Sequence, residues 1–301
     1  MDVCTLGTGG AIPLPERALS SLDVRVGGRC LLIDCGEGTQ VQLRKLGWGF
    51  KCVDALLLTH YHADHCGGLP GFLLSMTKAD RLEPLHLYGP PGLRRVVEAL
   101  CVIAPALTFP LVLHELPLGE SRFGAIGLDI TAFPLNHGMP CLGYCLSLPR
   151  APEFDPARAR ALEVPVKLWR HLQAGETVEV SGRVIAPAQV TGSPRRGIRL
   201  LYATDTRPVE AIARLGAGAD LMVLEGMYGD DDKLPQALKN HHMLFREAAA
   251  LAAESGAKRL LLTHLSNCID DPAPYLPLAR AVFPETETAQ DGMTVTLRYP
   301  D

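Results

Sequence analysis

The sequence predicts an α/β protein built as two similar βα halves that face each other. Two observations carry this. Short apolar runs alternate with helical patterns along most of the 301 residues, and the string Leu-Leu-Leu-Thr-His occurs twice, at 56–60 and 260–264. A short apolar run ending in a polar residue reads as a buried strand whose C-terminal tip opens into a loop. Each copy of the string therefore delivers a histidine at the tip of an equivalent strand. The interval between the copies is far too long for a stacked repeat.

In chain order, residues 3–6, 23–26 and 29–34 read as strands, the last two joined by a hairpin turn at Gly27-Gly28. Residues 39–46 look helical and stop at Gly47, and 53–59 is an apolar strand. Helical patterns over 71–79 and 92–102 flank a strand over 85–88, and 111–116, 127–134 and 141–148 read as further strands. Strands over 199–203, 221–225 and 259–263 follow, with an Ala-rich helix over 242–255 closed by Gly256. Residues 150–198 break the rhythm. Prolines at 152, 156, 165, 187 and 194, a helical piece around 156–162 and a hairpin around Gly182 mark an insertion within one domain spanning 1–301.

An apolar content of 47% with 21% charged residues is ordinary for a globular enzyme. No run of about 18 apolar residues is present, so no membrane span is expected. No signal peptide is expected either, which points to the cytoplasm. Nine cysteines, an odd number without a C-x-x-C pair, argue against a disulfide framework or a zinc ribbon. The net charge of −4 argues against a dedicated nucleic-acid binder, but it is unevenly spread. Residues 150–199 hold nine Lys or Arg against five acids, +4 for that stretch and −8 for the remainder. A basic insertion on an acidic body is either a polyanion-docking element, with Arg195, Arg196 and Arg199 as candidate contacts, or an ordinary solvated surface.

Chemistry concentrates in His60-Tyr61-His62-Ala63-Asp64-His65, four potential metal ligands in six residues. Imidazole nitrogens and carboxylate oxygens are the donors of zinc and its first-row neighbours. On an extended segment His60 and His62 point to the same side and can share one ion. Asp64 and His65 follow where the chain turns and reach a second. Further polar residues stand at strand tips: His137 after 130–133, Asp205 after 200–203, and His264 after 260–263. A carboxylate can join ions roughly 3.5–4 Å apart, and a water between them loses its proton near neutral pH. The glycines at 7, 9 and 10 are not followed by a helix and a distant acid, which excludes a dinucleotide fold.

The HxHxDH pattern is the signature of the metallo-β-lactamase superfamily, which this chain resembles from end to end. Leu6-Gly7-Thr8-Gly9-Gly10, Ile33-Asp34-Cys35-Gly36-Glu37-Gly38-Thr39-Gln40, Gly68-Leu69-Pro70-Gly71 and Thr204-Asp205-Thr206-Arg207-Pro208 narrow the resemblance to its ribonuclease Z-like branch. The resemblance implies an αββα four-layer sandwich. It places His60, His62 and His137 on one ion and Asp64, His65 and His264 on another, with Asp205 bridging. The ions implied are two Zn²⁺, with Mn²⁺ or Fe²⁺ as substitutes. It also implies that His242 faces the scissile phosphate and protonates the leaving oxygen, with His241 the competing candidate. Glu225 then sets the tautomer of His242, and Asp64 orients or deprotonates the nucleophilic water. Asp34 is expected to bind backbone amides of the site loops.

The activity implied is that of a dinuclear zinc phosphodiesterase which cuts precursor tRNA on the 3′ side of the discriminator base. In such proteins a homodimer grasps the tRNA with an extruded arm, and the insertion has the length for one. The alternatives are another small phosphodiester or, with the same site, a lactam, lactone or thioester. The chain departs from the branch in three places. Ala63 replaces a usual Gly, Leu224-Glu225-Gly226-Met227-Tyr228 replaces a His-Glu-Ala-Thr pattern, and Leu265-Ser266-Asn267-Cys268 replaces a continuation in Ser-Arg-Tyr. None touches an assigned ligand, so these differences bear on the substrate.

Overall fold

A computed structural model describes residues 1–104 and 106–300. Contacts divide the chain into two compact units, one formed by Met1–Ser147 and Arg199–Arg298, the other by Leu148–Ile198 with the chain end from Tyr299. In the first unit, strands β1 (Asp2–Gly7), β2 (Ser21–Val26), β3 (Arg29–Ile33), β4 (Val53–Leu57), β5 (Leu85–Gly89) and β6 (Leu111–Glu115) come first. Helices α1 (Thr39–Lys45), α2 (Ala63–Cys66), α3 (Leu69–Lys78) and α4 (Leu93–Cys101) lie among them. Strands β7 (Ser121–Ala125), β8 (Leu128–Pro134) and β9 (Leu142–Arg150) follow. The insertion carries α5 (Pro156–Ala161), α6 (Val166–Gln173), β10 (Val178–Val180) and β11 (Arg183–Ile185). The chain continues with β12 (Arg195–Ala203), α7 (Glu210–Leu215), β13 (Leu221–Glu225), α8 (Leu234–Asn240) and α9 (Phe245–Ser255). It finishes with β14 (Leu260–Thr263), α10 (Leu276–Arg280), β15 (Thr286–Thr288) and β16 (Met293–Thr296).

The first unit is a sandwich of two seven-stranded mixed sheets, ordered β16-β1-β2-β3-β4-β5-β6 and β15-β14-β13-β12-β9-β8-β7. Each sheet is antiparallel on one side and parallel on the other. In the first, β1, β2 and β3 pair antiparallel while β3 to β6 run parallel. In the second, β7, β8 and β9 pair antiparallel while β12 to β15 run parallel. The two copies of Leu-Leu-Leu-Thr-His thus contribute β4 and β14, parallel strands of opposite sheets, as the two-halves expectation requires.

Central parallel strands are covered on both faces, which is why β13 and β14 read as near-continuous apolar runs rather than alternating ones. All five residues of β13 and all four of β14 are buried. On the first sheet, Leu43 of α1, Phe72 and Met76 of α3 and Val97 of α4 pack with Leu32, Leu56 and Leu87. On the second, Ala248, Ala249 and Ala252 of α9 pack with Met222, Leu224 and Leu262. Alanine's small side chain lets this helix lie close to the strands below it. Each fully buried leucine contributes roughly 1.5–3 kcal/mol relative to exposure.

The insertion has its own small core of Ala159, Val164, Leu172, Val180, Ile185 and Val190. Asp155 caps α5 by accepting hydrogen bonds from the backbone N–H groups of Ala157 and Arg158. The expected hairpin is β10–β11, turning through Ser181 and Gly182, both at positive φ. Helix α6 was not expected from the sequence. The Ala-rich helix is shorter than expected, starting at Phe245 rather than 242, because Leu244 is extended and its N–H donates to the Glu247 side chain at 2.9 Å. His242 consequently lies in the loop between α8 and α9. Among the described residues no helix is long and apolar enough to cross a membrane.

Candidate metal centre

The C-terminal ends of the parallel strands β4, β12 and β14 and of the antiparallel strand β8 converge on one cluster. His60 follows β4, His62 immediately precedes α2, and Asp64 and His65 lie in it. His137 follows β8, Asp205 follows β12 and His264 follows β14. The structure brings all seven together, and their donor atoms fall into overlapping groups within 4.8 Å: His60–His62–His137, His60–His65–Asp205 and Asp64–His65–His264. A fourth group joins Asp205 and His264 to His242. Asp205 and His264 take positive φ values of 57° and 52°, costly for residues with a side chain and typical of functional sites.

The geometry is that of donors facing a cation rather than each other. His60 Nε2 lies 3.0 Å from His62 Nδ1, His137 Nε2 lies 3.3 Å from the same atom, and His65 Nε2 lies 3.1 Å from His264 Nε2. Two nitrogens on a tetrahedral zinc, each bonded at about 2.0–2.1 Å, stand about 3.3 Å apart. Asp205 divides its oxygens: Oδ1 is 4.0 Å from His60 Nε2 and from His137 Nε2, while Oδ2 is 3.2 Å from His65 Nε2 and 3.4 Å from His264 Nε2. That Oδ2 is buried, yet none of the described residues meets hydrogen-bond geometry with it. A buried carboxylate oxygen left in this way needs a partner, and a cation supplies one. Asp64 Oδ2 lies 3.5 Å from both His65 Nε2 and His264 Nε2 and accepts the Ala11 N–H at 2.7 Å. The donor set therefore fits divalent metal.

Protonation agrees. Burial, helped by the charge of His65, holds His60 well below the ordinary imidazole range, and burial brings His137 down to about 4. Burial works against ionised Asp64 and Asp205 as well, but it is outweighed, for Asp64 by hydrogen bonds and charge from His264 and His65 and for Asp205 chiefly by the charges of His264, His65 and His60, and both stay below the usual carboxylate range. Neutral imidazoles beside ionised carboxylates are the states that donate lone pairs to a metal. For His65 burial is overcome by Asp205 and Asp34, which raise it well above its ordinary value, so a proton would compete with a metal for the same nitrogen.

Behind these side chains stands a supporting set that sequence reasoning mostly missed. Asp34, fully buried at φ 63°, accepts the Thr59 N–H at 2.8 Å and pairs with His65 Nδ1 at 2.8 Å. The Thr59 hydroxyl bonds the same carboxylate and lies 3.0 Å from His60 Nδ1. One carboxylate thus orients two imidazoles and leaves each Nε2 for the centre, more than the backbone role expected of it. Glycine lets the surrounding loops close in: a Cβ on Gly10 would sit 2.5 Å from the His264 ring, and one on Gly68 2.0 Å from the Gly36 carbonyl oxygen. Asp34→Asn is expected to weaken metal binding about 10–100-fold while the protein stays folded. Titration against a chromogenic chelator measures this, and unchanged affinity would remove the orienting role.

His242 faces the centre, its ring 5.5 Å from His137 and 5.6 Å from His264. Its Nδ1 pairs at 2.9 Å with Oε2 of buried Glu225, whose Oε1 accepts the Thr206 N–H at 2.6 Å. Burial disfavours charge on His242, but Glu225 more than offsets this and raises it. His241 instead adopts a left-handed conformation at the end of α8 and enters none of the clusters among the described residues. The loop is braced by Arg207, which donates to the His242 carbonyl and to Glu247. The pair is separated by 40 residues, and nothing in the sequence signals it. Arg195 and Arg196 are exposed, and Arg195 Nε donates to the Ala151 carbonyl at 2.8 Å. Arg199 donates to the Ala217 carbonyl at 2.8 Å and lines a surface cavity with Arg122 and Arg214.

Residues 151–265 match the beta-lactamase superfamily domain, and residues 1–100 match the anti-Pycsar protein Apyc1 family. The chain is 45% identical to the ribonuclease Z of Lachnoclostridium phytofermentans over 299 residues, 99% of this chain and 98% of that protein. The chain belongs to the ribonuclease Z family. A second member, from Lachnospira eligens, is 44% identical over 301 residues, covering all of this chain and 99% of its own. Among solved structures, the short form of human tRNase Z aligns with a TM-score of 0.72 at 26% identity, covering 99% of this chain and all of that one. Ribonuclease Z membership makes the chain a metal-dependent hydrolase acting as an endoribonuclease, and bears out the metallo-β-lactamase sandwich.

Proposed function

We propose that this member of the ribonuclease Z family removes the 3′ trailer from precursor tRNA at a centre of two zinc ions, working as a homodimer. His60, His62 and His137 would hold one ion, Asp64, His65 and His264 the other, with Asp205 shared. The observation that carries this reading is the division of the Asp205 oxygens between two histidine groups. Imidazole with carboxylate suits zinc, and manganese or iron would also be accepted. Bound ions would supply Lewis-acid stabilisation of phosphoryl charge and a lowered pKa for water. Asp64 orients the attacking water, and His242, held by Glu225, donates a proton to the departing ribose oxygen. The name of the human structural relative supports tRNA as substrate.

The test offers zinc-loaded protein a 3′-extended precursor tRNA, bis(p-nitrophenyl) phosphate and a chromogenic lactam. Cleavage of the precursor beside the discriminator base is expected. Turnover of the small diester alone would move the substrate to another phosphodiester, and turnover of the lactam alone would refute the phosphodiesterase reading.

The basic insertion serves RNA docking in this proposal, since RNA of this kind is held mainly through shape and phosphates. Neutralising Arg195, Arg196 and Arg199 together is expected to weaken precursor binding and spare small-diester hydrolysis. The slope of log affinity against log salt should fall by roughly one for each phosphate that is no longer neutralised. Equal loss on both substrates would remove the docking role.

A further inference from the structure

The thiols of Cys30 and Cys52 lie 3.0 Å apart, at the ends of β3 and β4 remote from the metal centre. The Cys30 N–H donates to the Cys52 carbonyl at 2.7 Å, so the two residues sit side by side on paired strands. Strands spaced about 4.8 Å apart put such neighbours within the Cα separations that a disulfide spans. Cys30 is buried, whereas Cys52 is partly exposed and open to a small oxidant. Cys30 donates its S–H toward Cys52, and the Arg25 guanidinium, stacked 3.3 Å over the Trp48 ring, adds positive charge nearby. The Cys30 hydrogen bond chiefly, with Arg25 helping, brings Cys52 down to about 7. Among the described residues the acid acting on the pair is Asp23, which burial pushes up to about 6 and which is salt-bridged to Arg25 at 3.2 Å. By contrast, burial raises Cys35, Cys66 and Cys141, so these thiols near the metal centre stay protonated.

We propose that Cys30 and Cys52 are a reversible dithiol–disulfide pair that reacts with hydroperoxides. The Cys52 thiolate attacks a peroxide oxygen, the O–O bond breaks, and hydroxide leaves with Cys52 as the sulfenic acid. Cys30 sulfur then attacks the Cys52 sulfur, the S–O bond breaks, and water departs with the Cys30 proton. Two thiols lose two electrons in total, and hydrogen peroxide becomes two waters. The new bond closes a loop between residues 22 apart and staples strands that are already paired.

The experiment treats zinc-loaded full-length protein with stoichiometric hydrogen peroxide, blocks remaining thiols with iodoacetamide, and maps the peptides by mass spectrometry. The Cys30 and Cys52 peptides should leave the alkylated pool together as one cross-linked species, return on adding dithiothreitol, and raise the thermal midpoint while small-diester turnover is unchanged. In Cys30→Ser, dimedone should trap a sulfenic acid on Cys52. Oxidation of Cys52 to sulfinate without cross-linking in the wild type, alkylation of both thiols after peroxide, or a fall in the midpoint on cross-linking would each overturn the proposal.

Discussion

His65→Ala is expected to cut bound metal from two ions to one and turnover on either phosphodiester by at least about a thousandfold. His65 is a heavily connected side chain of the cluster. Its Nε2 faces Asp205, Asp64 and His264, while its Nδ1 is tied to Asp34. Removing the ring leaves only two dedicated side chains for the second ion, and it strands the fully buried Asp34 with Thr59 as its remaining partner. Leaving a buried charge without its partner costs about 3–5 kcal/mol, so a fall in thermal midpoint should accompany the loss of metal. Elemental analysis of folded, gel-filtered protein checks the stoichiometry. Two ions per chain in that variant would contradict the ligand assignment, whatever the activity. His65→Gln keeps a hydrogen-bond donor for Asp34 and separates the two effects: it should recover part of the midpoint and none of the second ion.

What was legible in the sequence follows from where the ligands sit. Strands β13 and β14 are buried along their whole length and read as apolar runs, and His60, His137, Asp205 and His264 each stand within three residues of a strand end. His60 and His264 stand out for this reason, and the repeated pentapeptide shows that two sheets share the arrangement. Elements without such contrast were harder to see. Strand β7 reads Ser-Arg-Phe-Gly-Ala, an edge strand in which none of the five residues is fully buried, and no apolar run marks it. Met243 and Leu244 continue the apolar pattern of α9, yet Leu244 is extended, which a periodicity argument cannot detect. The supporting contacts were hardest of all. Asp34 meets His65 and Thr59, and Arg207 meets Glu247, through folding that brings distant segments together. Types and spacings announce ligands, whereas the partners that aim them depend on three-dimensional approach.

His242 lies outside the ligand groups proposed for the two ions but faces them, its ring 5.5 Å from His137 and 5.6 Å from His264. His242→Ala is expected to lower kcat on precursor tRNA about 10²–10⁴-fold with both ions retained. The loss on bis(p-nitrophenyl) phosphate should be far smaller, since p-nitrophenolate leaves without a proton whereas a ribose oxygen needs one. Glu225→Gln should fall between wild type and His242→Ala on the tRNA. The amide can still reach His242 Nδ1, but it no longer favours the charged ring as the buried carboxylate does at 2.9 Å. Arg207 and Glu247 hold the backbone of this loop, so a change confined to the His242 side chain should leave the neighbouring ligands in place. Rates on the two substrates, measured beside metal content, distinguish the possibilities. If both diesters lose rate equally, His242 acts on the charge of the phosphoryl group and not on the leaving oxygen. If metal is lost as well, it belongs with the ligands, near Asp205 and His264 with which it already clusters.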